Sequence, residues 1–228
     1  MAFVVPAPRI PAVPVEGTDD TFPVRRVFCV GRNYAAHARE MGANPDAEPP
    51  FFFMKPADAL VPGGGDVPYP PATADLHHEV EMVVALRDGG ADIAQEAALD
   101  AVFGYAVGID LTRRDLQAAA KKAGKPWDMA KGFDASAPIS AIRPADRCGH
   151  PASGAVSLSV DGQVRQNGDL ADMIWSVPAM IAYLSTLVIL KPGDLIFTGT
   201  PEGVGAVARG ARMDASVDGI GALTVTLV

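Results

Sequence analysis

Two glutamates two residues apart, Glu79 and Glu81, lie in the stretch DLHHEVEMVVA (Asp75–Ala85) and could do chemistry together. Read as a strand, the stretch splits by parity. His78, Val80, Met82, Val84 and Leu86 share one face; His77, Glu79, Glu81 and Val83 share the other. The even face is apolar after His78 and faces a core. The odd face then holds two carboxylates side by side in a β-branched, at least half-buried setting. There they repel unless one is protonated or a cation sits between them. Oxygen-only ligands suit Mg²⁺ or Mn²⁺ and not zinc. Alternation fits a half-exposed strand edge with two solvated glutamates equally well.

Other reactive side chains lie at element ends. Asp110 sits at the carboxyl end of the apolar run Val102–Ile109. His37 and Glu40 are three apart in a short helical stretch, Ala35–Met41, and share a helix face, an arrangement that is usually only a surface contact. Lys131 falls in a loop or short strand, Trp127–Phe133. His77 and His78 suggest zinc, but their neighbours are carboxylates and no third histidine is near. His77 reads as a partner behind the ligands and His78 as a packed or edge residue.

The whole chain bounds these readings. Its 228 residues fit one domain with a substantial core, and 49% apolar with 20% charged residues is ordinary globular composition. A formal charge of −8 without a Lys/Arg cluster argues against nucleic acid. Cys29 and Cys148 have no ligand spacing and read as small core residues of a reducing, cytoplasmic setting. The N-terminus lacks a basic start, and prolines interrupt its apolar run, so it does not read as a convincing signal peptide. The uncharged run Met173–Leu190 contains Pro178, Ser176, Ser185 and Thr186. It reads as a buried helix capped by Ser176, not a membrane span.

The positioning elements follow from turns and periodicity. Residues 1–20 read as an extended, proline-rich arm and 21–228 as a single catalytic domain. Strands are expected at Arg26–Val30, Phe51–Lys55, Val102–Ile109 and Leu195–Thr198. Hairpins should turn at Asp161-Gly162 and Asp218-Gly219. A short helix is expected over Ile93–Ala98. Thr112-x-x-Asp115 reads as a capping box opening a helix Arg113–Ala123. The polar, proline-containing segment Asn44–Pro50, with Glu48 in it, reads as a mobile lid.

Six segments in order resemble the fumarylacetoacetate hydrolase family: VGRNYAAHAREMG (Val30–Gly42), FFFMKPADAL (Phe51–Leu60), LHHEVEMVVAL (Leu76–Leu86), GYAVGIDLTRRDLQ (Gly104–Gln117), KPWDMAKGFDASAP (Lys125–Pro138) and LKPGDLIFTGTPEGVG (Leu190–Gly205). Within it the pattern is nearest the acylpyruvase branch, closest to bacterial fumarylpyruvate hydrolases. The resemblance implies an α+β, mostly β fold, a mixed β-roll or distorted sandwich with short peripheral helices, usually homodimeric. It implies one divalent cation, Mg²⁺ or Mn²⁺, held by Glu79, Glu81 and Asp110. It assigns Lys131 as the active-site lysine and His37 with Glu40 as a catalytic dyad on a lid. It places Gln117 and Thr200, with Arg32 alongside, against the substrate.

The implied reaction is hydrolysis of a 2,4-diketo acid between C3 and C4, fumarylpyruvate to fumarate and pyruvate first, by way of a pyruvate enolate. In that scheme His37 activates water and the Thr200 hydroxyl holds the substrate carboxylate. Decarboxylation of oxaloacetate and isomerisation of unsaturated 2-keto acids run through the same kind of site. A metal-stabilised binding domain without turnover would need neither the lysine nor the dyad.

Overall fold

The computed structural model describes residues 3–40 and 49–228. The expected lid, including Glu48, lies outside the described residues except at Pro49 and Pro50.

The apolar runs form the middle of an eight-stranded mixed sheet. Val80–Leu86 is buried at every position, paired antiparallel with Val102–Ile109 on one side and Asp194–Phe197 on the other. A strand covered on both faces reads as a continuous apolar run, and here only Glu81 interrupts it. Parity holds: Val80, Met82, Val84 and Leu86 enter the larger core, while Val83 and Ala85 enter a second core with Val27, Cys29 and Phe197. Arg26–Gly31 runs parallel to Asp194–Phe197, and Phe51–Lys55 closes that side as an edge strand. A five-stranded sheet carries the two expected hairpins, Ala155–Val160 with Gln163–Asp169 and Arg212–Val217 with Gly221–Leu227. The first turns through Asp161 and Gly162 with φ of 50° and 77°, the type I′ signature. The result is the mostly β roll with short helices that the resemblance implied.

Three short helices bear on the site: α1 (Ala35–Glu40), α2 (Arg114–Lys122) and α3 (Asp128–Lys131). The long uncharged run contains an eleven-residue helix, Val177–Leu187, that buries one face through Val177, Met180, Ile181 and Leu184 rather than its whole length, and no helix among the described residues is long and apolar enough to cross a membrane.

Several expectations need correcting. The strand bearing the glutamates breaks at Glu79. Leu76–His78 belongs to a separate three-stranded sheet, and the Val80 N–H is taken by Gln166 Oε1 at 3.1 Å. The capping box does not form. Thr112 lies in a two-residue strand, and Asp115 accepts from the Thr73 hydroxyl at 2.7 Å and the Ala74 N–H at 3.0 Å. Ser176 sits at the start of its helix without a side-chain cap bond. Ile93–Ala98 is replaced by a 3₁₀ stretch at Gln95–Ala101. The N-terminal arm is exposed over residues 3–10 but does not stay free beyond them. Ala12–Pro14 pairs with Thr21–Pro23, and Val13 and Val15 pack into the second core, because alternating valines next to an open sheet flank bury readily.

Candidate active site

Backbone pairing brings the three carboxylates together. Val80 lies opposite Ile109, and Glu81 opposite Gly108. The Asp110 N–H donates to the Glu79 carbonyl at 2.8 Å, tying the strand break to the end of the neighbouring strand. Each of Glu79, Glu81 and Asp110 thus offers an oxygen within 4.8 Å of the other two, at 6%, 2% and 0% exposure. Gly108 keeps this face open: a Cβ there would come within 2.5 Å of the Phe197 ring.

Three cations answer three buried carboxylates. Lys131 Nζ lies 2.8 Å from Glu79 Oε2 and 2.7 Å from Asp110 Oδ2. Lys55 Nζ lies 2.8 Å from Asp110 Oδ1 and also donates to the backbone carbonyls of Leu111 and Lys131. Arg114 donates to Glu79 Oε1 and to Gln117 Oε1. Glu81 instead accepts a backbone N–H, from Gly199 at 2.7 Å.

The charges respond to these partners. Burial alone would raise Glu79, but Lys131 and Arg114 outweigh it and hold the carboxyl well below the usual carboxylate range. Burial, then the charges of Asp110 and Glu79, push Glu81 well above that range. Burial works against the Lys131 ammonium, yet Asp110 and Glu79 prevail and hold it above an ordinary lysine. The surroundings of Glu81 therefore favour its protonated form. An all-oxygen, buried, convergent donor set with one strained carboxyl fits a hard divalent cation such as Mg²⁺ or Mn²⁺. Neither histidine of the HH pair competes. His78 Nδ1 lies 2.9 Å from Gln166 Oε1, and His77 is held between Asp75 and Arg114.

One cavity collects the expected residues. Glu79, Glu81, Lys131, His37, Arg32, Gln117 and Thr200 all border it, with Phe51, Phe53 and Trp127 as apolar walls. Asp110 lies behind the cavity wall, fully buried. His37, on α1, is buried; the Glu40 side chain lies outside the described residues. Arg32 takes a left-handed φ of 59°, turning the chain from strand into α1, and its guanidinium lies 5.5 Å from the Phe51 ring centre. The Thr200 hydroxyl donates to the Val80 carbonyl at 2.8 Å and accepts from Gln166 Nε2 at 2.8 Å. Its proton is thus directed away from the cavity, unlike the expectation that it would hold a carboxylate.

Sequence reasoning attached no role to Lys55, Arg114, Gln166 or Asn33. The i,i+3 spacing of Arg114 and Gln117 on α2 was an available signal. The others act across long separations. Gln166 joins His78, Val80, Thr200 and Pro201 through its amide. Asn33, also fully buried, accepts from Trp175 N–H at 2.7 Å and donates to the carbonyls of Trp175 at 3.0 Å and Thr198 at 2.8 Å. It thereby joins the root of α1 to the Gly199-Thr200 loop. Gly199, at φ 92°, allows this approach: a Cβ there would lie 2.7 Å from Asn33 Cβ.

Known proteins resemble this chain in sequence and fold. The model of the fumarylacetoacetate (FAA) hydrolase C-terminal family matches residues 26–228. A fumarylpyruvate hydrolase from Pseudomonas aeruginosa, solved with Mn²⁺ and pyruvate, is 53% identical over 100% of this chain and 99% of its own, with a TM-score of 0.97. A mitochondrial oxaloacetate tautomerase from Arabidopsis thaliana is 43% identical over 86% of this chain and 87% of its own. A 5-carboxymethyl-2-hydroxymuconate delta-isomerase from Mycobacterium smegmatis is 33% identical, covering 91% of this chain and 80% of its own, with a TM-score of 0.81. On the match across its three-carboxylate sheet and nearly its whole length, this chain belongs to the fumarylacetoacetate hydrolase family.

Proposed function

We propose that the protein is a metal-dependent C–C hydrolase that cleaves an acylpyruvate, with fumarylpyruvate, giving fumarate and pyruvate, as its first substrate. The observation that carries this reading is the meeting of His37 with Glu79, Glu81 and Lys131 in one aromatic-walled cavity, with Asp110 directly behind its wall. The 53% identity to a fumarylpyruvate hydrolase supports it.

Glu79, Glu81 and Asp110 would hold Mg²⁺ or Mn²⁺, which supplies Lewis acidity toward the 2-keto acid end of the substrate. The protein's own groups do the rest. His37 takes a proton from water as the water oxygen bonds to C4. The C3–C4 bond breaks, its electron pair passes to the pyruvate fragment as an enolate, and the proton returns to C3. Lys131, fixed by Glu79 and Asp110, holds negative charge on substrate oxygens as it develops, which is where electrostatic help raises the rate. Arg114 and Gln117, bonded to each other, and Arg32 orient the anionic ends. Thr200 offers the cavity a lone pair and not a proton. Phe51, Phe53 and Trp127 exclude bulk water.

Oxaloacetate tautomerisation is the second reading, favoured by the 43% identity to an oxaloacetate tautomerase. It needs proton transfer at C3 but no water attack. Turnover of fumarylpyruvate, acetylpyruvate and oxaloacetate with Mg²⁺, compared by kcat/KM, separates the two. Pyruvate release from an acylpyruvate with the highest kcat/KM supports the hydrolase. Rapid enol-to-keto conversion of oxaloacetate with no acylpyruvate cleavage overturns it.

A further inference from the structure

A chain of hydrogen bonds runs from the surface to Gln117, and groups that can only donate or only accept set its direction. Arginine has five N–H donors and no acceptor. Arg114 Nε lies 3.3 Å from His77 Nδ1, so that nitrogen offers its lone pair. The His77 proton is therefore on Nε2, which donates to Asp75 Oδ1 at 2.9 Å. On its other side the Arg114 guanidinium donates to Gln117 Oε1 and to Glu79 Oε1. With its oxygen so engaged, the Gln117 amide cannot flip, and its NH₂ is the group it has left to offer.

The backbone fastens the same pieces. Thr112 pairs with His77 and Arg113 with Leu76, and the Arg114 N–H donates to the Asp75 carbonyl at 2.8 Å. Together with the bonds from Thr73 and Ala74 to Asp115, residues 73–77 do at the start of α2 what the capping box would have done. Arg114 and Gln117, three apart on α2, share a helix face, and both border the cavity over the carboxylates. Asp75 and His77 do not border it, and the Asp75 side chain is 44% exposed. Gln117 is 6% exposed, and its NH₂ has no partner among the described residues. A buried donor without a partner is costly, so this amide suits an oxygen that arrives with a ligand. The cavity is small, about 30 Å³, and Arg114 ties Gln117 to Glu79, one of the carboxylates that would hold the cation. The part of a substrate within reach of Gln117 is thus the end held at the cation, its 2-keto acid.

We propose that Asp75 and His77 are positioning residues of this site. They hold Arg114 so that Gln117 presents its NH₂ to an oxygen of the 2-keto acid. The inference rests on the keto-acid end that the hydrolase and tautomerase readings share, and adds the two residues behind it.

The test is the binding of pyruvate, a bare 2-keto acid, to Mg²⁺-loaded protein by calorimetric titration. His77→Leu removes the lone pair that Arg114 Nε bonds and should weaken pyruvate at least tenfold. Its Mg²⁺ affinity should stay within threefold of wild type, which also reports a folded site. His77→Asn, whose side-chain oxygen takes the Nδ1 position, should stay within threefold for both ligands. Gln117→Met should match His77→Leu, and the double variant should be no weaker than Gln117→Met alone, because the two act through one contact. Asp75→Ala, at the exposed end, should weaken pyruvate about threefold and add nothing to Gln117→Met. Unchanged pyruvate binding in His77→Leu, an equal loss in His77→Asn, losses that add in the double variant, or an equal loss of Mg²⁺ affinity would each overturn the inference. Each leaves the keto-acid reading standing, since wild type still binds pyruvate. No pyruvate binding by Mg²⁺-loaded wild type overturns that reading and the inference with it.

Discussion

Lys55 Nζ lies 2.8 Å from Asp110 Oδ1, with both side chains fully buried and 55 positions apart in sequence. Asp110 is thereby held from behind by Lys55 and from the front by Lys131. Removing one partner of a buried pair leaves an uncompensated charge and costs about 3–5 kcal/mol. Lys55→Met should therefore lower the melting temperature by many degrees and weaken Mg²⁺ binding in a calorimetric titration. Unchanged stability and affinity would show that the pair is dispensable.

Asn33 predicts a different pattern. Its amide makes three hydrogen bonds to backbone groups, each contributing about 1 kcal/mol. Asn33→Ala should cost roughly 2–4 kcal/mol and lower kcat, because α1 carries His37 and hangs from this residue. Mg²⁺ affinity should stay within a few-fold, since no ligand is touched. A large loss of metal affinity with kcat intact would contradict this division.

The two glutamates give opposite pH dependences. Glu79 is depressed below its ordinary value of 4.5, so its contribution to stability is present above that pH and is lost as pH falls. Glu81 is raised, so its contribution is full at low pH and is lost as pH rises through its elevated folded value. Binding a divalent cation must expel that proton. Calorimetry in buffers of different ionisation enthalpy should show proton release on Mg²⁺ binding below the folded Glu81 value, with affinity rising with pH. Glu81→Gln should remove the release. Metal binding without proton release would contradict the raised Glu81.

Gln166 supports both the strand break and the Thr200 hydroxyl. Gln166→Leu leaves the Val80 N–H and the His78 ring unsatisfied in a buried setting, at about 1–3 kcal/mol each. The expected result is a clear fall in thermal stability with a rise in KM. A variant as stable as wild type would show that water replaces the amide.

Much of this was legible in the residues, and the failures share a cause. Phe51–Lys55 and Val102–Ile109 form the strands expected, because apolar runs bounded by turn residues leave little choice. The parity of Glu81 against Val80 and Met82 also holds. The break at Glu79 was invisible, because it is made by Gln166, 86 residues from Val80. The capping box failed because Asp115 is drawn off by Thr73 and Ala74, 42 and 41 positions away. Lys55, at a strand end, and Arg114, at a helix start, carry no local signal of their partners, which lie 55 and 35 positions away. Only the folded chain shows each buried or half-buried against a carboxylate.

The central claim is that His37 activates water at a site whose carboxylates hold the cation. The direct measurement is kcat for fumarylpyruvate hydrolysis and for oxaloacetate decarboxylation at saturating Mg²⁺, in wild type, His37→Ala and Glu79→Ala. Decarboxylation needs no attacking water. His37→Ala should lower hydrolysis by about 10²–10⁴-fold, the range for a positioned general base, and any decarboxylation much less. Glu79→Ala should abolish both. Equal losses of the two reactions on removing His37 would contradict its role as the hydrolytic base.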